Sequence, residues 1–273
     1  MKSLTRVLLI LSAIFIVLGG IIAAIGLFCG GSAYIGWDKK KNRFVTVENK
    51  NHIVSDKIKL EKINDIEINL DSEDIYFIPS DDDNYYIEYS FFAYGKDTVP
   101  YSVKDGKLKV KYSSDIFVFK FGLNFDDDEE DTYVKIYYPK DAKFDNIDLT
   151  LDMGSFEISK CNCKKLTAEL DMGSFEAKDC YFEKADVNLD MGSLEFDSVK
   201  LGTLDAYLDM GSAELKLVKD GKKTYGYDLK VDMGDIEIDN ESQGGKHKSD
   251  GDNMISVRCD MGDIEIDVTA DND

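Results

Sequence analysis

Asp-Met-Gly-Ser-Phe-Glu at 152–157 opens a phrase that returns as Asp-Met-Gly-Ser at Asp171, Asp190 and Asp209. It returns again as Asp-Met-Gly-Asp at Asp232 and Asp260. Each copy carries a glutamate two residues after its Ser or second Asp: Glu157, Glu176, Glu195, Glu214, Glu237 and Glu265. The first four copies are spaced by nineteen residues, and the last two intervals are 23 and 28. A fixed period of this size marks a stacked repeat architecture.

With the first Asp of each copy as position zero, apolar residues stand at −5, −3 and −1, as in Ile147, Leu149 and Leu151 or Leu166, Ala168 and Leu170. This is the alternation of a half-buried strand, and carried on it places Met153, Met172, Met191, Met210, Met233 and Met261 inward as well. At the Gly the phase slips, and the next inward positions are Phe156 and Ile158, Phe175 and Ala177, Leu194 and Phe196. Glycine supplies the backbone angles of a corner or bulge. A third apolar pair, Cys161/Cys163, recurs as Cys180/Phe182 and Val199/Leu201, so one coil has about three short sides. The predicted fold is all-β: a β-solenoid, parallel β-helix-like, of about nineteen residues per coil. Coils are expected to stack in chain order about 4.8 Å apart. Half-burying a Val or Leu contributes on the order of 1 kcal/mol, which offsets ordering entropy only when coils stack.

Stacking turns repeated residues into columns. Cys161 and Cys180 share a column with Val199 and Val218 and are read as small core residues. The methionine column is read as flexible core filling rather than a copper site. The acids are harder to place, because unit charges about 5 Å apart repel by roughly 0.8 kcal/mol even in bulk water. For Asp152, Asp171, Asp190, Asp209, Asp232 and Asp260 an Asx-type turn onto the following Gly or Ser amide is one account. The glutamates have no such local account. Together these twelve acids form a candidate divalent-cation ladder with calcium as the ion, against a solvated face or a catalytic carboxylate pair.

The chain has 273 residues, 43% apolar and 32% charged, with a formal charge of −21. That charge argues against nucleic acid as a partner. Five cysteines, Cys29, Cys161, Cys163, Cys180 and Cys259, fit neither a zinc ribbon nor a disulfide framework.

Residues 7–28 are uncharged and long enough for a transmembrane helix through roughly 30 Å of hydrocarbon. The rival is a cleaved signal peptide ending near Gly31-Ser32-Ala33, whose apolar core would usually be shorter. Residues 1–6 are placed in the cytoplasm, although Lys39, Lys40, Lys41 and Arg43 on the far side weaken the charge asymmetry. A juxtamembrane linker at 29–44 leads to a part-antiparallel β region at 45–145 and then to the solenoid at 146–270. Within that region Ile66 to Ile78 is a degenerate copy of the repeat, and Asp105-Gly106 signals a tight hairpin. The acidic stretch 124–131 reads as a solvated loop, with loose cation binding as the alternative.

Residues 60–270 resemble a bacterial family of candidate adhesins, β-strand-repeat domains of unknown function. The resemblance rests on Ile66 to Ile78, the Asp105-Gly106 hairpin, the approach "YYPKDAKFDNIDL" at 137–149 and the recurring Gly-[Ser/Asp]-x-Glu-[apolar] unit. It implies one N-terminal membrane segment and an extracytoplasmic β domain, and carries over no catalytic residues. The Met in every copy departs from the family pattern.

Three functions follow for testing. The first is a non-enzymatic, membrane-anchored surface module binding an envelope or surface ligand. The second is a polysaccharide-acting enzyme with paired acids in a groove, against which the acids repeat evenly and Ser155 and its equivalents have no His partner. The third is a cytoplasmic polymer of coils stacked end to end.

Overall fold

The computed structural model describes residues 12, 15–22, 34–38, 42–46, 51–93, 100–112, 116–120, 131–219 and 221–270. Two compact units are present: residues 1–51 with 114–129, and residues 52–113 with 130–273. In the first, Tyr34–Asp38 is the centre of an antiparallel three-stranded sheet between Arg43–Thr46 and Ile116–Lys120. The segment expected as a linker thus contributes a strand, in keeping with the strand preference of Tyr34, Ile35 and Trp37. Of the expected membrane segment 7–28, residues 12 and 15–22 are helical and the rest lies outside the described residues. Among the described residues no helix is long and apolar enough to cross a membrane. Of the acidic stretch 124–131 only Asp131 is described.

The second unit is a stack of parallel coils. Coil 1 is Lys107–Tyr112 with Tyr133–Tyr138, and coil 2 is Asp65–Leu70 with Asp74–Pro79. Coil 3 is Lys143–Ser159, coil 4 Asn162–Lys178, and coils 5 and 6 are the two halves of Tyr181–Val218. The degenerate copy at Ile66 to Ile78 is therefore a full member of the stack. Inward residues at −5, −3, −1, +4 and +6 are buried in every copy except that of Asp232, where Tyr227 and Ile238 are only partly buried. Buried as well are Cys161, Cys163, Cys180, Phe182, Val199 and Leu201 on the third side. Aromatic rings from neighbouring coils close the interior, with Phe156 stacked on Phe175 at 4.7 Å and Phe175 edge-on to Phe196 at 5.4 Å. The four described cysteines are buried free thiols, and burial pushes Cys163 and Cys180 up to about 12, which leaves them unreactive.

Chain order fails at the C-terminal end. Coil 6 pairs not with the next copy in sequence but with Asn253–Met261 and Ile264–Thr269, which form coil 7. Tyr225–Met233 and Ile236–Ile238 stack outside this as coil 8. The copies therefore stack in the order Asp152, Asp171, Asp190, Asp209, Asp260, Asp232. Two buried polar side chains hold this arrangement. Asn253 Nδ2 donates to Leu201 O at 2.8 Å, while Tyr225 OH donates to Val218 O at 2.8 Å and accepts from Leu201 N at 3.1 Å. After coil 8 the chain reverses at Asp239-Asn240, both at positive φ as a tight hairpin turn requires. Glu241–Gly244 and Lys246–Ser249 then run antiparallel along the outer edge of coil 8. At the other end, Tyr101–Lys104 and Tyr85–Ala93 cover coil 1 in the same antiparallel manner, the former through a hairpin at Asp105-Gly106. Covered edges of this kind oppose end-to-end growth of the stack.

The methionines are not core. Met153, Met172, Met191, Met210, Met233 and Met261 are between 38% and 62% exposed. Strand alternation stops at the −1 residue, and both Asp and Met face outward while the chain turns the corner. The following Gly has φ between +125° and +152° in all six copies.

At the corner of coil 2 the Gly position is held by Glu73, which is 3% exposed. Its carboxylate accepts the Ser72 amide at 3.1 Å. Burial chiefly, with the Asp71 charge adding, raises its pKa from 4.5 to about 7 despite that hydrogen bond. A raised folded-state pKa contributes stability that is complete below the unfolded value and is lost as pH rises through the folded one. Glu73→Gln is accordingly expected to flatten the decline in stability between pH 5 and 8. At pH 8 the variant should gain on the order of 2 kcal/mol, since a tenfold change in proton affinity is worth about 1.4 kcal/mol. Urea unfolding across that range checks it, and an unchanged pH profile contradicts it.

Candidate functional site

The twelve sequence-predicted acids fall into two in-register columns separated by the Met-Gly corner. Asp71 of coil 2 extends the first column beyond Asp152, because Leu70 pairs with Leu151. Tyr207 OH donates to Asp260 at 3.0 Å, and Lys230 lies 2.5 Å from Asp232. Asp171, Asp190 and Asp209 make no hydrogen bond to the following Gly or Ser amide, so the expected Asx turn does not form there. At two other corners the residue after the Gly position is bonded between coils. Asp74 Oδ1 accepts the Ser155 amide at 2.7 Å and its hydroxyl at 2.8 Å, and Asp263 Oδ1 accepts the Asp235 amide at 2.9 Å.

In the second column Glu157 pairs with Glu176, Glu176 with Glu195, and Glu265 with both Glu214 and Glu237. Partial burial, then the charges of Glu176 and Asp74, raise the pKa of Glu157. Ser193 Oγ donates to Glu195 at 2.9 Å, and Lys216 pairs with Glu214. The adjoining outward column is mixed in charge: Lys178 bridges to Asp197 at 2.9 Å. Hydrogen bonds from Lys178 and Ser198 lower the pKa of Asp197. A shallow groove of about 490 Å³ runs along this face from Tyr76 and Ile78 past Glu157, Glu176 and Glu195 to Glu214 and Lys216. Stacking thus lines the acids up without gathering them. Among the described residues no three His, Cys, Asp or Glu side chains are placed to hold one metal ion.

Beyond the acidic face lies an aromatic cluster that sequence reasoning missed. Lys57 sits 3.7 Å above the Tyr137 ring and 4.9 Å from that of Tyr86. Tyr133 and Tyr137 donate to Glu88 at 3.1 and 3.0 Å, and burial together with that bond pushes Tyr137 up to about 12. These residues come from separated stretches. The outward alternation of Tyr133, Lys135 and Tyr137 was the available signal.

A family model described as Toastrack DUF4097 matches residues 63–271. Among solved structures, a candidate cell adhesion protein from Clostridium sporogenes is 14% identical, with 81% of this chain and 100% of that chain covered at a TM-score of 0.40. A candidate adhesin from Bacteroides fragilis is also 14% identical, covering 81% and 98% at a TM-score of 0.38. No curated protein matches the chain. The family match spans the coils from Ile63 onward together with both capped ends, and the chain belongs to the Toastrack DUF4097 family.

Proposed function

We propose that the chain is a non-enzymatic, membrane-anchored module of the cell envelope that binds or scaffolds through its extracytoplasmic coil faces. The observation that carries this reading is the evenness of the outward columns. Glutamates stand in register from Glu157 of coil 3 to Glu237 of coil 8, so the face offers the same acidic group at each of these six coils. A repeating face suits multivalent contact with an extended envelope or surface ligand. The uncharged segment 7–28 supplies the anchor in this proposal. The test is protease treatment of intact cells carrying the chain with an N-terminal tag. Digestion of the β domain with the tag retained is expected, and full protection of the β domain overturns the reading.

Divalent-cation binding is a second reading, favoured by the mutual repulsion of Glu157 and Glu176. Calcium at 100 times its dissociation constant would stabilise the fold by about 2.7 kcal/mol. A higher thermal midpoint in calcium than in chelator is expected on this reading, and equal midpoints remove it.

A further inference from the structure

Six methionines stand on the outer corner of coils 3 to 8, and packing does not explain them. The interior is closed by the −1 and +4 residues, such as Leu170 and Phe175, both buried. Coil 2 turns the same corner with Ser72, so the position tolerates a small polar side chain. Each methionine is nevertheless in register with its neighbours: Met153 with Met172, Met172 with Met191, Met210 with Met261, and Met261 with Met233. In-register parallel coils place successive Cα atoms about 4.8 Å apart. Three rotatable bonds per side chain let neighbouring thioether sulfurs converge. Beside them, Asp171, Asp190 and Asp209 are exposed and make no hydrogen bond or ion pair among the described residues. A row of neutral soft donors next to uncompensated negative charge matches a soft monovalent cation. Thioether ligands select copper(I), whereas calcium and magnesium take oxygen ligands.

We infer that the methionine ridge is a binding site for a soft monovalent metal ion of the copper(I) class, bridged between thioethers of consecutive coils with the Asp column as its counter-charge. The inference is independent of the calcium reading, which uses carboxylate oxygens alone.

The test is a titration of the full chain in detergent with silver(I), a redox-stable stand-in for copper(I), followed by methyl NMR of 13C-methyl methionine. Resonances of the ridge methionines are expected to shift, while that of Met254, which stands outside the ridge, stays in place. The triple variant Met172→Leu, Met191→Leu and Met210→Leu keeps the apolar bulk and is expected to weaken binding about tenfold or more. Ridge resonances unmoved by silver(I) overturn the inference even if the variant fails to fold. Equal affinity in the wild type and a folded triple variant, as binding at the cysteines would give, also overturns it.

Discussion

Gly192→Ala is expected to destabilise the repeat region by about 4 kcal/mol, well beyond the cost of the same change at an open turn glycine. A Cβ at Gly192 would lie 1.6 Å from the carbonyl oxygen of Gly173 and 2.7 Å from its carbonyl carbon. The obstacle is backbone, fixed by the ladders on both sides, so no rotamer change relieves it. Overpacking costs about 1–3 kcal/mol, and holding a non-glycine residue at φ +148° adds strain of similar size. Gly221→Ala is the matched control. That glycine also has positive φ, +62°, but nothing lies within 4 Å of its would-be Cβ, so a loss of about 1 kcal/mol is expected. Urea unfolding of the two variants separates close stacking from backbone preference. Equal losses would mean that the corners are not packed carbonyl against Cα.

The same geometry explains how much of the fold could be read from the amino acids. Inward alternation at Leu166, Ala168 and Leu170, the glycine corner and the third apolar pair at Cys161 and Cys163 are each direct consequences of burial, and each is observed. The methionines fall on the wrong side when alternation is carried one residue too far. A turning chain spends two consecutive residues outward, Asp171 and Met172, before Phe175 points in again. Nothing in a period-two pattern distinguishes those cases. The acid columns were legible because register alone creates them. Their neutralising partners, such as Lys178 for Asp197, depend on which charge sits one coil away on the adjoining column.

Coil order was the least legible feature, for a physical reason. Copies with the same inward pattern stack equally well on any other copy, so Asp260 matches the Asp209 coil as readily as Asp232 does. What decides the order lies outside the repeat. Buried Asn253 and Tyr225 bind the backbone of Leu201 and Val218, and the Asp239-Asn240 turn sends the chain back along coil 8. The longer intervals of 23 and 28 residues leave room for that detour.

The second large effect expected is therefore a contrast in cross-linking at the exposed corner. Met210 is in register with Met261, and Met261 with Met233, so Met210 and Met233 are two coils apart. Adjacent coils place the paired positions about 5 Å apart and alternate coils about 10 Å apart. The described native cysteines are buried and do not compete for reagent. In a chain carrying Met210→Cys and Met261→Cys, the short thiol reagent dibromobimane is expected to join the two positions nearly completely. With Met210→Cys and Met233→Cys it should join almost none, as read by mass spectrometry of the digested chain. The reverse outcome, with 210 joined to 233 and not to 261, would show coils stacked in chain order and contradict the inserted C-terminal coil.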